Sequence, residues 1–143
     1  MDAAVVKPYA EIECCNTMGC GVPNGVRDLL LRSEHGRAIP VTKLGARAQE
    51  TSGDLLSIQS DQYMEDIESR YSTGWWTSGS NGTCFAATGD SGSVVVDDQR
   101  KVIGMVVAVN QPEAGGDGDC FVHAIKPILS ALRVRLPDAD WGS

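Results

Sequence analysis

Two runs rich in β-branched residues, Val94–Val96 and Val102–Val109, flank the polar stretch Asp97-Asp98-Gln99-Arg100-Lys101, and this pattern narrows the possible folds more than any other. Valine and isoleucine pack well on a pleated surface, and a polar break between two such runs reverses the chain. The segment therefore predicts an antiparallel hairpin of central strands. Just before it stands Thr88-Gly89-Asp90-Ser91-Gly92-Ser93. A serine between glycine-flanked positions on a tight turn can present its hydroxyl to solvent. Gly89 permits close backbone approach, and the N–H groups of Gly89 and Ser91 are candidate donors to an oxyanion. Gly, Asp and Ser also dominate ordinary turns, so the motif by itself is ambiguous and its surroundings have to decide.

Elsewhere the pattern is uneven. Ile125, Ile128, Leu129 and Leu132 fall at i, i+3, i+4 and i+7, and Pro127 suits a first turn, which predicts an amphipathic helix over 126–135 with Arg133 and Arg135 near its C-terminus. Residues 60–74 follow neither period cleanly, and a strand is expected near Met64–Tyr71. Trp75-Trp76 is expected to open the strand or loop entering the serine turn, serving packing. Ala10–Cys15 reads as strand-like, Gly21-Val22-Pro23-Asn24-Gly25 as a break, and Val26–Leu31 as an edge strand or short helical turn.

Composition excludes several classes of function. A hydrophobic content of 42% with 22% charged residues suits a folded domain, and no apolar run approaches the ~18 residues of a membrane span. A net charge of −7 with scattered Lys and Arg argues against a nucleic-acid surface. The Cys14, Cys15 and Cys20 cluster lacks the paired spacing of a zinc site, and Gly115-Gly116-Asp117-Gly118 lacks calcium-loop spacing, so neither a metal nor a cofactor is expected. The amino end shows no basic-then-apolar leader, which makes a cytoplasmic setting with free thiols the expectation. The sequon Asn81-Gly82-Thr83 would accept a glycan only in a secreted protein.

Three segments in order carry a resemblance. Val41–Arg47 with Thr51–Ile58, Gly89–Ser93 with Val102–Ala108, and Cys120–Ile125 leading into the helix are together similar to the C-terminal half of the trypsin/chymotrypsin-like serine protease family. The resemblance covers residues 37–136 and implies a mainly β fold, an antiparallel chymotrypsin-type barrel lobe ending in a helix. Residues 1–36 would then be an extension or linker from a preceding segment, and 137–143 a tail. It implies Ser91 as nucleophile, Gly89 and Ser91 as oxyanion donors, and Asp90 as the support of the turn through an internal ion pair or backbone hydrogen bonds. Met1-Asp2-Ala3-Ala4 is unlike the apolar start that supplies such a pair in zymogen-activated members.

In that family a first barrel supplies the base and its orienting acid. The chain is too short for two barrels and has no stretch like the family's histidine motif, so another lobe or partner chain is expected to provide them. Of the two histidines, His35 reads as solvated loop and His123 as structural, each only a minor candidate for the base. By positional analogy Cys84–Thr88, with Phe85 and Ala86, would line the base of a substrate pocket, and Val107, Ala108 and their neighbours a wall whose edge pairs with an extended substrate. No acidic residue at that base disfavours Lys or Arg selection. Cys84 and Cys120 flank the region as a pocket-bracing disulfide does in secreted relatives, at offset spacing. The implied function is acyl-enzyme proteolysis of a protein or peptide, and the alternative is a non-catalytic binding or regulatory module.

Overall fold

The computed structural model describes residues 23–45, 49–64, 70–109 and 119–136. Alternation along β1 (Ala38–Gly45) sends Ile39, Val41, Lys43 and Gly45 inward and leaves Ala38, Pro40 and Leu44 exposed. β2 (Gln49–Leu56) returns antiparallel, with Thr42 opposite Ser52 and Ile39 opposite Leu55. β3 (Ser60–Met64) and β4 (Arg70–Gly79) form a second hairpin. β5 (Val94–Asp97) and β6 (Val102–Val109) form the third, with Val94 opposite Met105. β7 (Cys120–Ala124) runs between β6 and β4.

The strands lie in the order β2-β1-β5-β6-β7-β4-β3, and β2 also pairs with β4 through Gly53–Gly79, Asp54–Ser78 and Leu55–Thr77. That pairing closes six strands into an antiparallel barrel and leaves β3 as a flap on β4, so the expected mainly β barrel with a C-terminal helix is the architecture observed. Closure removes the exposed edges along the paired lengths of those strands. Inside lie Ile39, Val41, Leu55, Trp75, Phe85, Val95, Val106 and Val122, in one buried cluster. Each such side chain contributes on the order of 1.5–3 kcal/mol through burial. Strands pack closely because glycine stands where they cross. A Cβ at Gly104 would strike the His123 carbonyl, and one at Gly74 the Val122 carbonyl.

The helix α1 (Ile125–Leu132) lies over a smaller outer cluster of Val96, Val102 and Ile125, joined by Val26, Val94, Leu129 and Leu136. It ends at Leu132, the last residue of the apolar spacing, rather than at the predicted 135. Arg133 turns left-handed (φ 55°) and closes the last turn through Arg133 N–H to Ser130 O and Val134 N–H to Leu129 O, 3.2 and 3.1 Å. Arg133 is thus the cap and Arg135 lies beyond the helix.

Two other expectations are corrected. The strand placed near Met64–Tyr71 is instead the meeting of two strands, Met64 ending β3 opposite Arg70 at the start of β4, because the segment folds as a hairpin. Trp75 and Trp76 lie within β4 rather than opening it. Their packing role holds, with Trp75 in the core and Trp76 edge-on to Phe121 at 5.4 Å between ring centroids. The strand-like Ala10–Cys15, the Cys14, Cys15 and Cys20 cluster, the Gly115–Gly118 loop and the tail 137–143 lie outside the described residues.

Residues 23–36, read from sequence as extension or linker, run across the barrel. Val26 bridges in parallel to Val102, Leu29 is buried in the main core, and Arg32–Glu34 makes one turn of 3-10 helix. Asp97 ties this strap to the β5–β6 turn. Its Oδ1 accepts the Gln99 and Lys101 N–H groups at 2.9 and 2.8 Å, and its Oδ2 meets Arg27 Nη1 at 3.2 Å. Arg27 also reaches Glu34 at 3.0 Å, and Lys126 of α1 reaches Asp28 at 3.3 Å. Asp97→Ala removes the acceptor of two backbone donors and one of the two carboxylates on Arg27, so urea unfolding should show a loss of about 2 kcal/mol. An unchanged midpoint would contradict this role.

Candidate active site

The serine turn is held from inside the barrel. Lys43 occupies an inward position on β1, in the same alternating row as Ile39 and Val41, and is fully buried. Its ammonium lies 3.2 Å from Asp90 Oδ2, also fully buried, and 3.5 Å from the Gln49 carbonyl. It also sits 5.6 Å from the centre of the Phe85 ring, close enough for a cation–π contact. Asp90 Oδ2 accepts the Ala87 N–H at 3.0 Å as well. Gly45 leaves room for the carboxylate, since a Cβ there would collide with Asp90. Asp90 thus makes both a backbone hydrogen bond and an ion pair behind the turn. The pairing cation is Lys43, a residue the sequence reading did not single out. A lysine in phase with inward aliphatic residues was the available signal.

Around that anchor the backbone is tightly specified. Asp90 N–H bonds to Ala87 O at 3.0 Å, Ser93 N–H to Asp90 O at 3.0 Å, and Gly92 N–H to Val106 O at 2.7 Å. Gly89 and Gly92 take φ of 102° and 91°, in the left-handed region that glycine enters without strain. Ser91, between them, is exposed. Among the described residues no backbone hydrogen bond is donated by Gly89 or Ser91, and the Ser91 hydroxyl has no hydrogen-bond partner. A buried carboxylate thus sits directly behind an exposed hydroxyl and two available amides.

The other predicted residues are spread out. Phe85 and Ala86, expected at the base of a substrate pocket, are enclosed in the hydrophobic core at 0% and 2% exposure, because the chain entering the turn folds inward over Lys43. The Phe85 carbonyl accepts from Thr51 Oγ1. Val107 and Ala108 are half-buried at a bulge where β6 shifts register against β7. β5 meets β6 no further than Val94–Met105 and the bonds of Val106 to Ser93 O and Gly92 N–H, so the β5-facing side of Val107–Val109 carries no strand among the described residues. His35 is exposed, capping the 3-10 turn. His123 lies half-buried on β7, opposite Met105 and Gly74. Neither is hydrogen-bonded to Ser91.

Cys84 is exposed and Cys120 buried, and both are free thiols, so the bracing disulfide is not formed. Burial pushes the Cys120 thiol up to about 12, with Lys43 opposing and Asp119 and Asp90 adding to the rise. No cluster of metal-ligating side chains occurs among the described residues.

This architecture matches solved serine proteases. A chymotrypsin from Cellulomonas bogoriensis aligns with a TM-score of 0.58 at 18% identity, over 81% of this chain and 55% of that one. A glutamic acid-specific serine protease, described as using a novel histidine triad in substrate binding, aligns with a TM-score of 0.54 at 16% identity, over 96% of this chain and 64% of that one. The fold is therefore chymotrypsin-like, and the chain spans roughly half to two thirds of these neighbours' length. No protein-family model matches the sequence, and comparison with curated proteins gives no match.

Removing Lys43 takes from the buried Asp90 carboxylate the cation that lies 3.2 Å away. Lys43→Met should lower stability by about 3–5 kcal/mol in urea unfolding, and Lys43→Met combined with Asp90→Asn should recover part of that loss. Losses that simply add would show the two groups to be uncoupled. Alkylation mapped by mass spectrometry at pH 8 should modify Cys84 in the folded protein. Cys120, its thiolate scarcely populated well below about 12, should react only after denaturant is added. Equal labelling of both without denaturant would contradict the burial.

Proposed function

We propose that this chain is the nucleophile-bearing lobe of a serine endopeptidase of chymotrypsin-like fold. The observation that carries the reading is the exposed Ser91 on a turn anchored by the buried Asp90–Lys43 pair. In the proposed reaction Ser91 Oγ attacks the scissile carbonyl while a base takes its proton. The resulting oxyanion accepts hydrogen bonds from the Gly89 and Ser91 amides, and collapse releases the amine and leaves an acyl-enzyme for water to hydrolyse. An extended substrate lies along the open side of Val107–Val109 in this reading. Because Lys43 and Asp90 are both internal to the lobe, the turn needs no amine freed by cleavage.

The base and its orienting acid come from another lobe or chain. Two features support that assignment: the chain spans 55% and 64% of the two protease neighbours, and Ser91 has no partner among the described residues. A second reading is a non-catalytic binding or regulatory module that retains the lobe. The enclosure of Phe85 and Ala86 favours it, since these side chains offer a substrate no surface.

A fluorophosphonate probe with imidazole as a surrogate base separates the readings. Slow labelling at Ser91 should accelerate as imidazole is added, be absent in Ser91→Ala, and weaken in Lys43→Met. Rapid labelling without imidazole would bring His35 or His123 into the reaction. No labelling of Ser91 under either condition supports the binding module.

A further inference from the structure

Burial alternates along the second half of β4. Trp75 and Thr77 are enclosed, and Trp76 between them is half-buried. Strand geometry therefore points both enclosed side chains into the barrel. Neither Trp75 Nε1 nor Thr77 Oγ1 touches bulk solvent, and neither has a hydrogen-bond partner among the described residues. Register sets Leu55 of β2 and Cys120 of β7 on either side of Thr77, and Val122 beside Trp75. Those neighbours answer a hydroxyl and an indole N–H with hydrocarbon and one thiol.

A third group of the same kind lies one step further along that face. Gly79 stands opposite Gly53, and a Cβ placed on Gly79 would lie 2.9 Å from Phe85 N. Phe85 is fully buried, and its N–H donates no hydrogen bond among the described residues, although its carbonyl accepts from Thr51 Oγ1. Burying such a group unpaired forfeits the hydration it has in the unfolded chain, so native proteins meet nearly all of them with protein atoms or ordered water. Two donors and a hydroxyl on one inner face match what water offers, since it can accept from both N–H groups and share a hydrogen with the hydroxyl. About three such bonds are the usual complement of a buried water.

We propose that the barrel interior binds ordered water at Thr77 Oγ1, where it accepts the hydrogen bonds of Phe85 N–H and Trp75 Nε1–H. The site joins β4 to the peptide at Phe85, which Thr51 holds from β2 through the Phe85 carbonyl. The same residue lays its ring over the Lys43 ammonium. Internal water is thereby a further tie on the segment that folds inward and leads to Asp90 and Ser91. Threonine at position 77 is explained in this way, since a hydroxyl among Leu55, Cys120 and Val122 otherwise brings only a desolvation cost.

The test combines oxygen-17 relaxation dispersion of water, which counts molecules trapped inside a protein, with the near-isosteric Thr77→Val in the full chain. The wild type should hold at least one more trapped water than Thr77→Val. The substitution should also lower the urea midpoint, because it leaves the two N–H groups without their acceptor. Water–amide NOE spectra should place that water beside Phe85 N–H and the Trp75 indole N–H. Both cross-peaks should vanish in Thr77→Val while the β6 and β7 amides keep their positions, which separates loss of water from unfolding. Equal dispersion in the two proteins overturns the proposal. So does a raised midpoint, the result of deleting a hydroxyl that was buried unpaired. Wild-type spectra without cross-peaks at Phe85 and Trp75 overturn it whatever the variant does, since any trapped water then lies elsewhere.

Discussion

A lysine and an aspartate buried together inside a β-barrel set the terms for the rest of this structure. Removing two charges from water is costly, and the cost is offset only when they pair closely and their remaining hydrogen-bonding capacity is met. Lys43 and Asp90 satisfy that condition at 3.2 Å, with Ala87 N–H on the carboxylate and the Gln49 carbonyl and Phe85 ring around the ammonium. Gly45 makes room, and the chain from Phe85 to Asp90 has to fold inward to reach the lysine. Ser91, next in sequence, is thereby turned outward. The exposed hydroxyl is thus a consequence of an internal electrostatic constraint reached through one peptide unit.

The same inward fold explains why Phe85 and Ala86 are core residues rather than pocket lining. A side chain that encloses a buried ammonium is not available to a ligand. What remains on the surface near Ser91 is backbone, the amides of Gly89 and Ser91 and the open side of Val107–Val109. In the proposed function, recognition through main chain would suit an extended peptide. The protease neighbours of the same fold are longer chains, of which this one spans 55% and 64%.

Much of the barrel was legible because its strands alternate or run apolar between polar breaks. Val94–Val96 and Val102–Val109 gave a hairpin that the structure contains almost residue for residue, and the Ile125, Ile128, Leu129 spacing gave the helix. The helix end was not legible, because Arg133 closes it in a left-handed conformation that glycine more often adopts. Residues 60–71 were misread because neither strand there carries a clean period. The serine turn was visible in its glycines. Its anchor was not, since lysine is almost always a solvated residue and only its phase with Ile39 and Val41 marks it as internal. Residues 23–36 looked like linker for a similar reason, their polar turns hiding the single buried Leu29 and the Arg27–Asp97 tie.

Amide hydrogen exchange at Asp90, Gly92 and Ser93 is the measurement that bears most directly on whether the buried pair builds the serine turn. These N–H groups bond to Ala87, Val106 and Asp90 carbonyls. They should be strongly protected in the wild-type chain, and Lys43→Met should abolish that protection while amides at the centres of β6 and β7 keep theirs. Protection at the three amides that survives loss of the lysine would contradict the account.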